Sequence, residues 1–232
     1  MRSWTGFNDS SGARESGYGL WRKLVNLGVA LLTLACLATP APAATRILVL
    51  GDSLTAGFGL PSVEEAFPAR LQSWLRNHGV DAEVTNAGVS GDTSAGGLAR
   101  LDWSLANPVD AVLVELGAND ALRGLDPRET YKNLDEIMSR LDRRHVKVLL
   151  LGMEALANWG ADYRDAFRAI FPELATQHHA LLYPFFLDGV ALDPALNQPD
   201  GLHPNARGVD AIVGRVGPYV LRLLGAAAAG NG

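Results

Sequence analysis

The chain has 232 residues, 48% hydrophobic and 19% charged, with a formal net charge of -5. That balance excludes a disordered polyelectrolyte and gives enough length for one domain or two. No basic run or basic-aromatic interleaving occurs in the body of the chain, so nothing points to nucleic acid as a partner.

Residues 1–20 are polar and rich in Gly and Ser. Residues 24–38, LVNLGVALLTLACLA, are nearly all apolar; Arg22 and Lys23 precede them and Ala41-Pro42-Ala43 follows. A basic start, an apolar run and an A-x-A site are the order of a secretory signal peptide, and the run is short of the ~20 residues a bilayer span needs. Thr33 stands three residues before Cys36, where a lipoprotein signal would carry Leu. The expectation is therefore an N-terminal extension and signal peptide over 1–43, a single domain over 44–232, and an exported protein, periplasmic or secreted. Cleavage after Ala43 would leave 16 basic and 23 acidic residues, a net charge of -7, and no Cys. Such a domain has no disulfide, no thiol nucleophile and no thiolate metal site.

Beyond residue 44, apolar runs alternate with amphipathic stretches. Ile47–Leu50 reads as a strand. Glu64–Asn77 has Phe67, Leu71, Trp74 and Leu75 at helical spacing and stops before Gly79. AEVTNAG (82–88) is a second strand, Thr93–Leu105 a helix closed by Asn-Pro, and VDAVLVELG (109–117) a third strand whose apolar run is broken by Glu115. Pro127–Arg144 reads as a long helix, 146–152 as a strand, Ala161–His178 as a helix, 180–186 as a fifth strand, and Pro204–Leu224 as the last helix. Continuous apolar strands alternating with helices predict an α/β fold: a three-layer α/β/α domain on a five-stranded, doubly wound parallel sheet. Ligands of such sheets sit beyond the carboxyl ends of the strands.

At those ends stand Asp52 and Ser53, then Asn86, Gly88, Ser90, Gly91 and Asp92, then Gly117, Asn119 and Asp120, and, before the last helix, Asp200, His203 and Pro204. These are the parts of a serine hydrolase. A Ser hydroxyl needs an adjacent base, which His203 can supply, and the His needs an acid to fix its tautomer, which Asp200 can supply. Pro204 suits the first position of a helix and would hold His203 at its start. The Ser53 and Gly91 N–H groups and the Asn119 amide are candidate oxyanion donors.

Plainer roles exist for each: a helix cap for Ser53, a turn for Asn119, a metal pair for Asp200 and His203. Asp52 and Asp120 read as local hydrogen-bonding and loop-ordering residues. His78, His145, His178 and His179 read as structural or solvated; Trp74, Trp103 and Trp159 read as core or pocket wall. Glu115 has no evident role. The G-x-S-x-G elbow, the P-loop, G-x-G-x-x-G and H-E-x-x-H are all absent.

The blocks GDSL (51–54), NAGVSGDTS (86–94), GAND (117–120) and DGLHP (200–204) resemble, in order and spacing, those of the SGNH (GDSL) hydrolase family. SGDTSAGGLARL, VLVELGANDALRG and YPFFLDGV resemble its exported bacterial branch of thioesterases, lysophospholipases and arylesterases. The resemblance implies Ser53 as nucleophile, Asp200 and His203 as acid and base, and Ser53, Gly91 and Asn119 as the oxyanion hole. It implies no metal and no cofactor. The partner is then a small acyl ester or lipid, with no nucleic acid or stable protein partner, and a monomer is the default. Leu122, Leu156 and Trp159, in the stretches 119–127 and 154–163, are expected to border the acyl pocket. The alternatives are a carbohydrate O-deacetylase of the same fold and a non-catalytic flavodoxin-like binding module.

Overall fold

A computed structural model describes residues 43–226. The apolar leader, with Ala41, Pro42 and Cys36, lies outside these residues. The described elements in chain order are β1 (Thr45–Gly51), α1 (Ser53–Ala56), α2 (Phe67–Asn77), β2 (Ala82–Gly88), α3 (Ser94–Ser104), β3 (Ala111–Glu115), α4 (Ala118–Leu122), α5 (Pro127–Arg143), β4 (Lys147–Leu151), α6 (Ala161–Gln177), β5 (Leu181–Tyr183) and α7 (Ala206–Leu224). Single 3-10 turns lie at Val63–Glu65 and Ala157–Trp159.

All five strands are parallel, in the order β2-β1-β3-β4-β5. Ile47 to Leu50, Ala111 to Val114 and Val148 to Leu151 are all buried, because the central strands are covered on both faces. Each fully buried Leu, Ile or Val contributes roughly 1.5–3 kcal/mol. β2 is an edge strand, and much of it is open to solvent. Register then sets the site: Gly51 of β1 pairs with Gly88 on one side and Glu115 on the other, so three strand ends finish level.

Several boundaries differ from the sequence reading. β3 ends at Glu115 and β5 spans three residues, because the chain after each turns into the site-bearing loops. α2 begins at Phe67, with Pro68 in its first turn and a separate 3-10 turn ahead of it. The short helices α1 and α4 follow strand ends directly, and apolar periodicity has no purchase on four or five residues. Pro204 does not open the last helix. It forms an antiparallel bridge with Asn197, and α7 starts two residues later, where the Asn205 side chain accepts from the Gly208 N–H at 3.1 Å. Trp103 is neither core nor pocket wall, being 81% exposed. Trp74 packs on α7 over Gly217, and its ring stacks on His78 at 3.7 Å.

Candidate active site

Asp52 ends the loop after β1 and caps α1, its Oδ1 accepting from the Leu54 N–H at 3.0 Å. Ser53 is thereby the first residue of a helical turn, and it lines a cavity of about 600 Å³. The same cavity is lined by Gly91, Asn119, Leu122, Leu156 and His203. His203 is separated from Ser53 by 150 positions, yet its Nε2 lies 2.9 Å from Ser53 Oγ.

The other ring nitrogen, Nδ1, lies 2.6 Å from Asp200 Oδ2. Asp200 Oδ1 accepts from the His203 N–H at 3.0 Å and the Leu202 N–H at 2.9 Å. The His203 N–H, then its imidazole and the Leu202 N–H, hold the Asp200 carboxyl down at about 2. An ionised carboxylate only accepts, so Nδ1 carries the proton and the Nε2 lone pair faces the Ser53 hydroxyl. Both ring nitrogens thus have protein partners. Among the described residues, no cluster of three or more His, Cys, Asp or Glu is placed to hold a metal ion.

What positions His203 is a short ladder rather than a helix start. The Gln198 N–H donates to the His203 carbonyl at 2.8 Å, and the Asn205 N–H to the Leu196 carbonyl at 2.9 Å. Gln198 Nε2 donates to the carbonyls of Phe58, at 2.7 Å, and Pro204, at 3.0 Å. The Phe58 ring sits 4.8 Å from the imidazole. Sequence reasoning missed Phe58 and Gln198; neither belongs to a block, and only the closed chain brings them to the base.

Gly91 adopts φ +86°, a left-handed conformation that favours glycine, and among the described residues neither its N–H nor that of Ser53 donates to a protein acceptor. Asn119 is different. Its Nδ2 donates to Asp52 Oδ2 at 3.0 Å and to the Asp92 carbonyl at 2.9 Å, so both amide protons already have acceptors. Asp120 is buried and accepts from the Ser94 N–H and hydroxyl and the Thr130 hydroxyl, tying α4 to α3 and α5 as a loop-ordering residue.

Burial also raises the Asp52 carboxyl, to about 6, against the pull of the Leu54 N–H, the Asn119 amide and His203. Beneath it lies Glu115, fully buried, with Oε2 accepting from the Thr55 hydroxyl at 2.7 Å and the Asp52 N–H at 3.2 Å. Burial, then the nearby Asp52 charge, pushes Glu115 well above the usual carboxylate range. The role of Glu115 is therefore structural, since it ties β3 to the turn that carries Ser53. A side chain at Gly51 would collide with both Thr55 and Glu115, which is why a glycine precedes Asp52.

Leu122 and Leu156 line the cavity, with Leu54, Leu187 and Leu202. Trp159 does not. Its indole Nε1 donates to the Ala121 carbonyl at 2.9 Å and its ring covers Gly124, so it braces the loop from behind. His178 is structural: its two ring nitrogens lie 2.6 Å from Asp142 and 2.8 Å from Asp135.

The chain has counterparts among known proteins. The model of the GDSL-like Lipase/Acylhydrolase family matches residues 49–211. The chain belongs to that family. An arylesterase of Vibrio mimicus is 40% identical over 177 residues, 76% of this chain and 88% of that protein. The thioesterase 1/protease 1/lysophospholipase L1 of Escherichia coli K12 is 42% identical over 175 residues, 75% of this chain and 82% of that protein. Among solved structures, the SGNH-hydrolase family esterase AlinE4 is 45% identical, with a TM-score of 0.67 over 79% of this chain and 98% of its own. The GDSL-family fold is the five-stranded parallel α/β architecture described above, and the chain is an ester hydrolase.

Proposed function

We propose that the protein is exported and hydrolyses aryl esters, lysophospholipids and acyl thioesters through an acyl-enzyme on Ser53. The observation that carries this reading is the unbroken relay from Asp200 through His203 to Ser53 on the cavity wall. Ser53 Oγ attacks the acyl carbon while His203 Nε2 takes its proton. The negative charge that forms on the acyl oxygen meets the N–H groups of Ser53 and Gly91, and Asn119 yields one of its amide protons to it. His203 then protonates the leaving alkoxide or thiolate. In the second half, His203 takes a proton from water as its oxygen attacks the acyl carbon, then gives that proton to Ser53 Oγ as the acyl–Oγ bond breaks, releasing the acid and free Ser53.

The names of the arylesterase and lysophospholipase relatives support the substrate classes. The leucine-rich lining, with Leu122 and Leu156 as acyl contacts, supports an aliphatic chain over an acetylated sugar. Export rests on the leader pattern at residues 22–43. An exported enzyme meets little acyl-CoA, so lysophospholipids and environmental esters are favoured as working substrates.

The test is hydrolysis of p-nitrophenyl esters, from acetate to palmitate, by the purified protein beside Ser53→Ala. Turnover that disappears in the variant supports the reading. Equal rates in both proteins, or no rate on any ester, would sink it.

A further inference from the structure

Arg100 projects from α3 and is only 17% exposed in its side chain. It does not line the cavity. Its guanidinium nevertheless reaches the loops that hold the oxyanion donors. Nε donates to Asp92 Oδ2 at 2.6 Å, one terminal nitrogen to the Ala87 carbonyl at 2.8 Å, and the other to the Gly51 carbonyl at 2.8 Å. The first of these terminal nitrogens also reaches Ser104 Oγ at 3.3 Å.

Gly51 lies two residues before Ser53, and its carbonyl also accepts from the Val89 N–H at 3.0 Å, closing the β2 loop against β1. Asp92 follows Gly91 directly, and its own carbonyl accepts from Asn119 Nδ2 at 2.9 Å. Each donor group is therefore within two residues, or one hydrogen bond, of a residue that this single cation holds. Burying a guanidinium costs free energy that one carboxylate partly repays. The planar fork is what lets one side chain bind a carboxylate and two separate carbonyls together, and the compact ammonium of Lys has no such geometry.

We infer that Arg100 is a positioning residue of the oxyanion hole: it fixes the Ser53, Gly91 and Asn119 donors relative to one another, and turnover rather than substrate binding depends on it. The inference rests on the acyl-transfer reading of Ser53. A misplacement of about 1 Å in such a site costs on the order of 100-fold.

The experiment measures kcat and KM of the full-length protein on a p-nitrophenyl ester for wild type, Ser53→Ala, Arg100→Lys and Arg100→Ala, with folding followed by circular dichroism. The expected result is a loss of kcat of roughly 10- to 100-fold in both Arg100 variants, about the scale of a donor displaced rather than deleted, with KM within about threefold. Guanidinium at millimolar concentration is expected to restore part of the rate in Arg100→Ala and to leave wild type and Ser53→Ala unchanged. A folded Arg100→Lys with wild-type kcat overturns the inference, as does a loss confined to KM, or a folded Arg100→Ala that guanidinium does not rescue. If Arg100→Ala fails to fold, Arg100→Lys carries the decision alone. Should wild type and Ser53→Ala turn over equally, the acyl-transfer reading itself has failed, and that outcome is read before any Arg100 result.

Discussion

Beneath the cavity, in a layer that does not line it, Asp52, Glu115 and Asp120 form a polar floor: all three are buried, and each carboxyl accepts two or three hydrogen bonds from fixed partners. At its rim, Phe58, Leu122, Leu156, Leu192 and Leu202 are apolar and exposed, Leu192 to 79% and in a left-handed backbone. The two regions lie on either side of the cavity wall and obey different rules. Polar groups in the floor are expensive to bury and tolerate no shift once paired, so they fix where charge can develop. The rim makes only non-directional apolar contacts, which one chain length satisfies about as well as the next. On the proposed mechanism the floor fixes the chemistry and the rim the substrate range.

The sharpest break in that comparison comes from the relay. His203→Ala is expected to lower kcat by about 10,000-fold or more, and Asp200→Asn by roughly 1,000-fold, with the acyl-length profile unchanged in whatever activity remains. A profile that moved with the rate would show that the relay also selects the chain.

Next is pH. The folded Asp52 carboxyl titrates at about 6 instead of 3.8, a difference worth roughly 3 kcal/mol. Between those values the folded state holds a proton that the unfolded chain has released. Stability therefore falls as pH rises through that window, and Glu115, raised by its own burial, acts in the same direction above its ordinary value. Melting temperature is expected to drop between about pH 4.5 and pH 7 by several degrees, and Asp52→Asn to flatten the drop. A melting temperature independent of pH in wild type would remove Asp52 from the account.

Asn119→Ala is expected to lower kcat by about 100-fold with little change in KM. Part of that loss also releases Asp52 from its amide partner, so the pH–stability slope should steepen in the same variant. The smallest effect belongs to the rim. Leu122→Ala or Leu156→Ala is expected to shift the preferred acyl length, changing relative rates by about tenfold or less. Trp159→Phe, which keeps an aromatic ring and removes the Ala121 bond, should move it less. If all three leave the profile fixed, the rim does not select.

Much of this was legible in the sequence because strand ends are legible. Ile47–Leu50 and Val112–Val114 are apolar in an unbroken run, so the point where each strand stops, and what stands there, could be read directly. The four blocks then placed Ser53, Gly91, Asn119, Asp200 and His203 on one edge. What escaped were residues whose role exists only after closure. Arg100 sits on a helix, where a cation reads as solvated; its guanidinium is mostly covered because it reaches the Gly51 carbonyl at the end of β1 and the Ala87 carbonyl in β2. Glu115 stood out as a charge in an apolar strand, but its partner Thr55 lies 60 positions away. Pro204 misled because proline suits a helix start and a bridge position equally, and the Asn205 cap decided between them. Trp103 was read as buried from residue type alone, and nothing in its neighbours packs over it.

The proposed nucleophile follows the first strand of the sheet, and its proposed base follows the last. Ser53 and His203 are 150 positions apart, and the segment carrying His203 leads straight into α7, which packs beside Trp74 of α2. A chain interrupted anywhere before residue 203 therefore displays a serine with no base to activate it. On the proposed mechanism, ester turnover begins only when the segment carrying His203 has folded back onto the turn carrying Ser53, so an unfinished copy of this hydrolase stays inactive.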